Sequence, residues 1–190
     1  MNLDYYSYEE QENEEKEKFI SDFRNLIYEE RKKRGYLELV FICIGTDRMT
    51  GDCFGPIVGS KLKELLENYN IFNINIYGSL EENICYTNIE NVIEIIKNRH
   101  PNACIIVIDA ALSKKENIGK VFVSKEKTML GKGLNKNKIE IGDLSIKAVV
   151  GKNNKIPYYN FTVLQNVSLN VVIRMASMVA EGIVEIIKYG

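Results

Sequence analysis

Histidine occurs once in this chain of 190 residues, at His100, and tryptophan not at all. Cys43, Cys53, Cys85 and Cys104 include no pair at CxxC spacing. Neither a zinc site nor a redox dithiol is therefore expected, and Cys43 and Cys104 read as small core residues. Charge of one sign is also lacking. A net charge of -1 gives no electrostatic case for a nucleic-acid partner, which calls for a basic stripe. No apolar run approaches the roughly 18 residues of a membrane span, so no membrane partner is expected. The chain opens on acidic and tyrosine residues without the pattern of a signal peptide, which points to a cytoplasmic protein.

What is present is an ordinary globular balance, 45% hydrophobic and 27% charged. Residues 1–34 stand apart as a charged helical segment. Glu9, Glu10, Glu12, Glu14, Glu15 and Glu17 lead, and Arg31, Lys32, Lys33 and Arg34 close it. Acid first and base last suits a helix dipole. Phe19, Phe23 and Ile27 recur every fourth residue, so the spacing predicts a helix from about 10 to 34 with residues 1–12 disordered. The alternative is a removable pro-segment or a partner-binding helix.

Residues 35–190 read as a single α/β domain in which strands and helices alternate. Strands are expected at Glu38–Ile44, Phe72–Tyr77, Cys104–Ile108, Val121–Ser124 and Leu144–Val150. Helices are expected from Pro56, over Asn88–Arg99, and from a cap at Asn166 or Ser168 through Ile187. The Cys104–Ile108 run is apolar on both faces, as in the middle of a parallel sheet. The architecture is a three-layer α/β/α sandwich on a mainly parallel sheet. The run Gly131-Lys132-Gly133-Leu134-Asn135-Lys136 lacks P-loop spacing and reads as a mobile loop able to cover a crevice.

In open sheets of this kind ligands bind beyond the carboxyl ends of the strands, where strand order reverses. With a 2-1-3 order, that point lies between the loops after the first and third strands. The first loop, Gly45–Pro56, carries Asp52; Asp109 ends the third strand. Paired carboxylates suit hydrolysis because their environments can be made unequal. Asp52, beside the amides opening the helix at Pro56, is expected to stay ionised, whereas desolvation and a like charge hold the proton on Asp109. A structural reading stands beside this one: Asp52 caps the helix and Asp109 braces a loop.

The stretches Gly45-Thr46-Asp47-Arg48, Thr50-Gly51-Asp52, Gly55-Pro56 and Ile108-Asp109-Ala110-Ala111 resemble the sporulation protein YyaC family. Leu164-Gln165-Asn166 within Tyr158–Asn170 fits as well. The resemblance covers about residues 37–188. It implies a phosphorylase/hydrolase-like fold similar to the spore germination protease and the hydrogenase maturation endopeptidases. In the germination protease pattern the acids of a Thr-Pro-Asp-Ala-Leu-Gly-Pro stretch and of a strand-ending Asp-Ala pair are catalytic. The matching positions are Asp52 and Asp109; Gly51 replaces that proline, and Asp47 stands near where relatives often carry asparagine.

The resemblance thus implies an aspartate-dependent endopeptidase of the germination-protease type, related to sporulation. Its catalytic residues would be Asp52 and Asp109, with Gly45, Thr46, Asp47 and Gly51 at the substrate. The expected partner is a protein substrate, such as a spore protein, with homo-oligomerisation left open. No cofactor is expected. The maturation endopeptidases recruit nickel with two acids and a histidine, but His100 precedes the third strand, at the wrong edge of the sheet. Two alternatives remain: a non-catalytic binding or regulatory protein on a peptidase fold, and a metal-dependent small-molecule hydrolase. The latter would use Asp47, Asp52 and Asp109 around a hard ion such as magnesium.

Overall fold

A computed structural model of the chain describes residues 3–35, 38–67, 69, 73–130 and 139–189. Its elements in order are α1 (Leu3–Arg34), β1 (Leu39–Cys43), α2 (Phe54–Leu66), β2 (Ile74–Tyr77) and α3 (Ile89–Arg99). There follow β3 (Cys104–Ser113), β4 (Val121–Ser124), β5 (Thr128–Leu130), β6 (Ile139–Ile141), β7 (Leu144–Lys152), α4 (Pro157–Gln165) and α5 (Leu169–Tyr189).

Five strands form one sheet in the order β2-β1-β3-β7-β4, while β5 and β6 pair separately. The β1, β2, β3 and β7 pairings are parallel and only the edge strand β4 runs antiparallel. Alternation along the strands divides the core between the two faces. Phe41, Cys43, Ile106, Ile108 and Ile146 lie in one cluster with residues of α1, α2 and α5. Val40, Ile42, Ile44 and Val107 lie in the other with Ile89, Ile93 and Ile96 of α3 and Ile141 of β6. The α/β/α sandwich and the 2-1-3 arrangement are as the sequence predicts.

Helix α1 begins at Leu3, not near residue 10, so residues 3–12 are helical where disorder was expected. Its buried stripe is Phe19, Ile20, Phe23 and Ile27. The rings of Phe19 and Phe23 stack at 5.8 Å, and Phe23 meets Phe41 of β1 edge-on at 6.5 Å. Phe19 also packs on Gly182 of α5, where an added Cβ would stand 2.9 Å from its ring. At the C-terminal end Arg34 binds the buried Glu30 at 3.0 Å, Asp143 at 2.8 Å and the Ala103 carbonyl at 3.1 Å. Among the described residues no single helix is long and apolar enough to cross a membrane.

Three features depart from the expected elements. Strand β3 runs five residues beyond Ile108, because β7 pairs with it as far as Ser113↔Lys152, past the end of β1. Asp109 therefore lies inside a strand and does not end one. The small β5–β6 hairpin and helix α4 were not expected. α4 exposes Tyr158, Tyr159 and Phe161, so its apolar residues give no single-faced helical pattern. The loop expected at 131–138 and the start of the expected strand at Phe72 lie outside the described residues.

Candidate active site at the carboxyl edge of the sheet

The last β1–β3 partners in the ladder are Cys43 and Ile108, and the Ile44 amide still donates to the Ile108 carbonyl at 2.8 Å. Asp109 is the next residue of β3. On its other side it pairs with Lys147 of β7. Partners in register share a sheet face, so Asp109 and Lys147 stand side by side.

After Ile44 the chain turns sharply at Gly45, whose φ is +144°. A Cβ there would lie 2.0 Å from the Asp52 carbonyl oxygen and 2.9 Å from Pro56 Cδ. Only a residue without a side chain lets the returning loop come this close. That loop forms a 3-10 helix, Thr50–Cys53, which carries Asp52 against β3 and leads into α2. Its far side is held by α4, where Gly51 takes the Leu164 side chain at what would be 2.9 Å from a Cβ. Both glycines thus serve close approach within the chain itself.

Burial raises the pKa of both acids. Asp109 is pushed up to about 7, first by desolvation and second by the negative charge of Asp52. The Ala110 amide and the Lys147 charge only partly oppose this. Asp52 is also raised by desolvation, against a hydrogen bond from the Thr46 backbone. The expectation that helix amides would hold Asp52 low is therefore not met. Asp52 lies within the 3-10 helix, no side chain caps that helix or α2, and loss of water outweighs the amides. One acid that keeps its proton near neutrality beside another of lower pKa is the complement acid–base chemistry needs.

The remaining candidates are placed differently. Thr46 is half-buried, and its hydroxyl oxygen accepts from the Arg48 amide at 3.3 Å. Asp47 is exposed and accepts from Asn83 Nδ2 at 2.7 Å. Among the described residues no three His, Cys, Asp or Glu side chains are grouped to hold a metal ion. His100 lies at the opposite end of β3 in a hydrogen-bonded chain, with Glu38 at 2.7 Å on Nδ1 and Tyr77 at 2.8 Å on Nε2. Cys53 Sγ donates to the Thr46 carbonyl at 3.4 Å, and burial raises its pKa. Lys147 was not singled out from the sequence, although one charged residue within the mostly apolar Leu144–Val150 run was a signal.

A family model described as "Protein of unknown function (DUF1256)" matches residues 10–182. The chain belongs to this family. It is 36% identical over 145 residues to the uncharacterized protein YyaC of Bacillus subtilis (strain 168), covering 76% of this chain and 67% of that one. A solved structure, the NiFe hydrogenase maturation protease HycI from Thermococcus kodakarensis KOD1, matches with a TM-score of 0.51 at 19% identity. That match covers 80% of this chain and 92% of HycI. A second, the maturation protease HybD from Thermococcus kodakarensis, gives 0.40 at 15% identity, over 75% of this chain and 95% of HybD. This DUF1256 chain accordingly has a peptidase-like fold of the HycI kind.

Proposed function

We propose that the chain is an aspartate-dependent endopeptidase in which Asp52 and Asp109 divide the acid–base work. The observation that carries this reading is the unequal pair at the carboxyl edge of a parallel sheet, with Asp109 raised to about 7 beside Asp52. In the reacting state Asp52 is ionised and Asp109 holds a proton. Asp52 takes a proton from a water whose oxygen bonds to the scissile carbonyl carbon. Asp109 gives its proton to the amide nitrogen as the C–N bond breaks. Thr46 and Asp47, at the lip of the first loop, contact the substrate, while Gly45 and Gly51 hold that lip in shape from within. The substrate is a protein, and the resemblance of the Asp52 and Asp109 stretches to a sporulation family favours a spore protein inside the cell.

The test is to incubate the chain with a soluble protein extract of Bacillus subtilis spores in the presence of EDTA. New N-termini are read by mass spectrometry against Asp52→Asn and Asp109→Asn. The expected result is a small set of cuts made by the parent and by neither variant. No parent-specific cuts would favour a binding protein, and cuts that require added magnesium would favour a metal-dependent hydrolase.

A further inference from the structure

Beyond Asp109 the sheet continues, and where β3 and β7 end it forms an open basin of about 530 Å³. Its lining includes Ser113, Lys114, Lys115, Glu116, Lys152 and Asn153. Three lysines therefore face one glutamate, in a chain whose net charge is only -1. Lys114, Lys115 and Lys152 are exposed and, among the described residues, none of them joins an ion pair. Three unmatched cations in one hollow leave a local positive field that an anionic partner would satisfy.

The basin is built on well-held backbone. The Asn153 amide donates to the Ser113 carbonyl at 2.7 Å, Asn117 Nδ2 to Ser113 Oγ at 3.1 Å, and Asn160 Nδ2 to Asn153 Oδ1 at 2.9 Å. It also has a fixed relation to the aspartates. Asp109 and Ser113 of β3 pair with Lys147 and Lys152 of β7, and the register shifts between Ala111 and Leu112, where β7 takes one residue more than β3. Four strand residues span about 13 Å, the reach of about four residues of extended peptide.

Resting on the endopeptidase reading, we propose that this basin is a subsite for acidic side chains of the protein substrate. It receives a glutamate or aspartate three to four residues from the bond held at Asp52 and Asp109. The lysines pair with that carboxylate, and the span along β3 sets which bond reaches the aspartates. Specificity then comes from an acidic residue at fixed distance from the cut.

Binding is read separately from cleavage by using the Asp52→Asn protein with a fluorescein-labelled octaglutamate peptide and its octaglutamine counterpart, by fluorescence anisotropy at low salt. The acidic peptide should bind about tenfold or more tightly than the neutral one, a difference of about 1.4 kcal/mol, and added salt should weaken it. The combined K114E, K115E and K152E variant should abolish the preference. K97E, on α3 and outside the basin lining, should keep it. All of these positions are exposed, so the variants should melt with the parent. Equal binding of the two peptides, or a preference surviving the triple reversal, would overturn the subsite. So would a DNA oligonucleotide of equal charge bound as tightly and lost with the same variants. A preference confirmed here beside an absence of any cleavage would leave the basin standing and remove the peptidase.

Discussion

The amide of Ile44 donates to the carbonyl oxygen of Ile108 at 2.8 Å, one residue before Asp109. That bond is the last tie between β1 and β3, and both acids lie just past it. The loop carrying Asp52 leaves from one side of it, and β3 continues as Asp109 on the other. The nearness of the two carboxylates thus rests on strand pairing, which sets Asp109, and on the turn at Gly45, which brings the loop of Asp52 back.

Gly45→Ala should be costly. Its Cβ would need room within 2.0 Å of the Asp52 carbonyl, at a φ that L residues rarely adopt. A loss on the order of 2 kcal/mol or more is expected in chemical denaturation, since backbone must move. Gly119→Ala, with φ +90° but nothing within 4 Å, isolates the dihedral cost and should lose about 1 kcal/mol. Similar losses at the two positions would mean that the close approach is not structural.

Asp109→Asn should stabilise the protein at pH 8 and have little effect near pH 4. The folded pKa of about 7 lies above the ordinary 3.8, so between those values the folded state holds more protons than the unfolded one. Stability contributed by Asp109 is therefore greatest below about pH 4 and is lost as pH rises through about 7. Removing the charge should raise stability at pH 8 on the order of 2 kcal/mol, read from thermal melts across pH. A brace would behave oppositely, with Asp109→Asn losing about 1–3 kcal/mol at pH 8 as its partners are left unpaired.

Tyr77→Phe tests whether the single histidine matters to the site. It breaks the 2.8 Å bond to His100 Nε2 at the far end of the sheet. The expected cost is about 1 kcal/mol of stability with any cleavage of spore proteins unchanged. Loss of cleavage at full stability would bring His100 into the chemistry.

Phe23→Ala should cost about 3–5 kcal/mol, because its ring is 1% exposed between Phe19 and Phe41. Such a loss would make α1 part of the core; a loss below about 1 kcal/mol would make it a removable segment.

The sequence showed the sheet order and the two acid-bearing segments because apolar runs and amphipathic helices report burial directly. Asp52 and Asp109 were legible as residues following such runs. The length of β3 was not. Asp109-Ala110-Ala111-Leu112-Ser113 is not an apolar run, and it is strand only because β7 lies beside it. The lysine partner of Asp109 was hidden for the same reason, since register between strands far apart in sequence leaves no local mark. Asp52 was misjudged electrostatically: the helix amides were visible in the sequence, and its depth of burial was not. α4 escaped because Tyr158, Tyr159 and Phe161 point outward, against the pattern that marks a core-facing helix.

The most direct measurement is the titration of the Asp109 carboxyl, followed by carbon-13 NMR in the parent and in Asp52→Asn. If the two acids form one unequal pair, Asp109 titrates at about 7 in the parent and moves down when the Asp52 charge is removed, staying above 3.8 because burial persists. An Asp109 that titrates near 3.8 in the parent, or that ignores Asp52→Asn, would contradict the pairing on which the proposed chemistry rests.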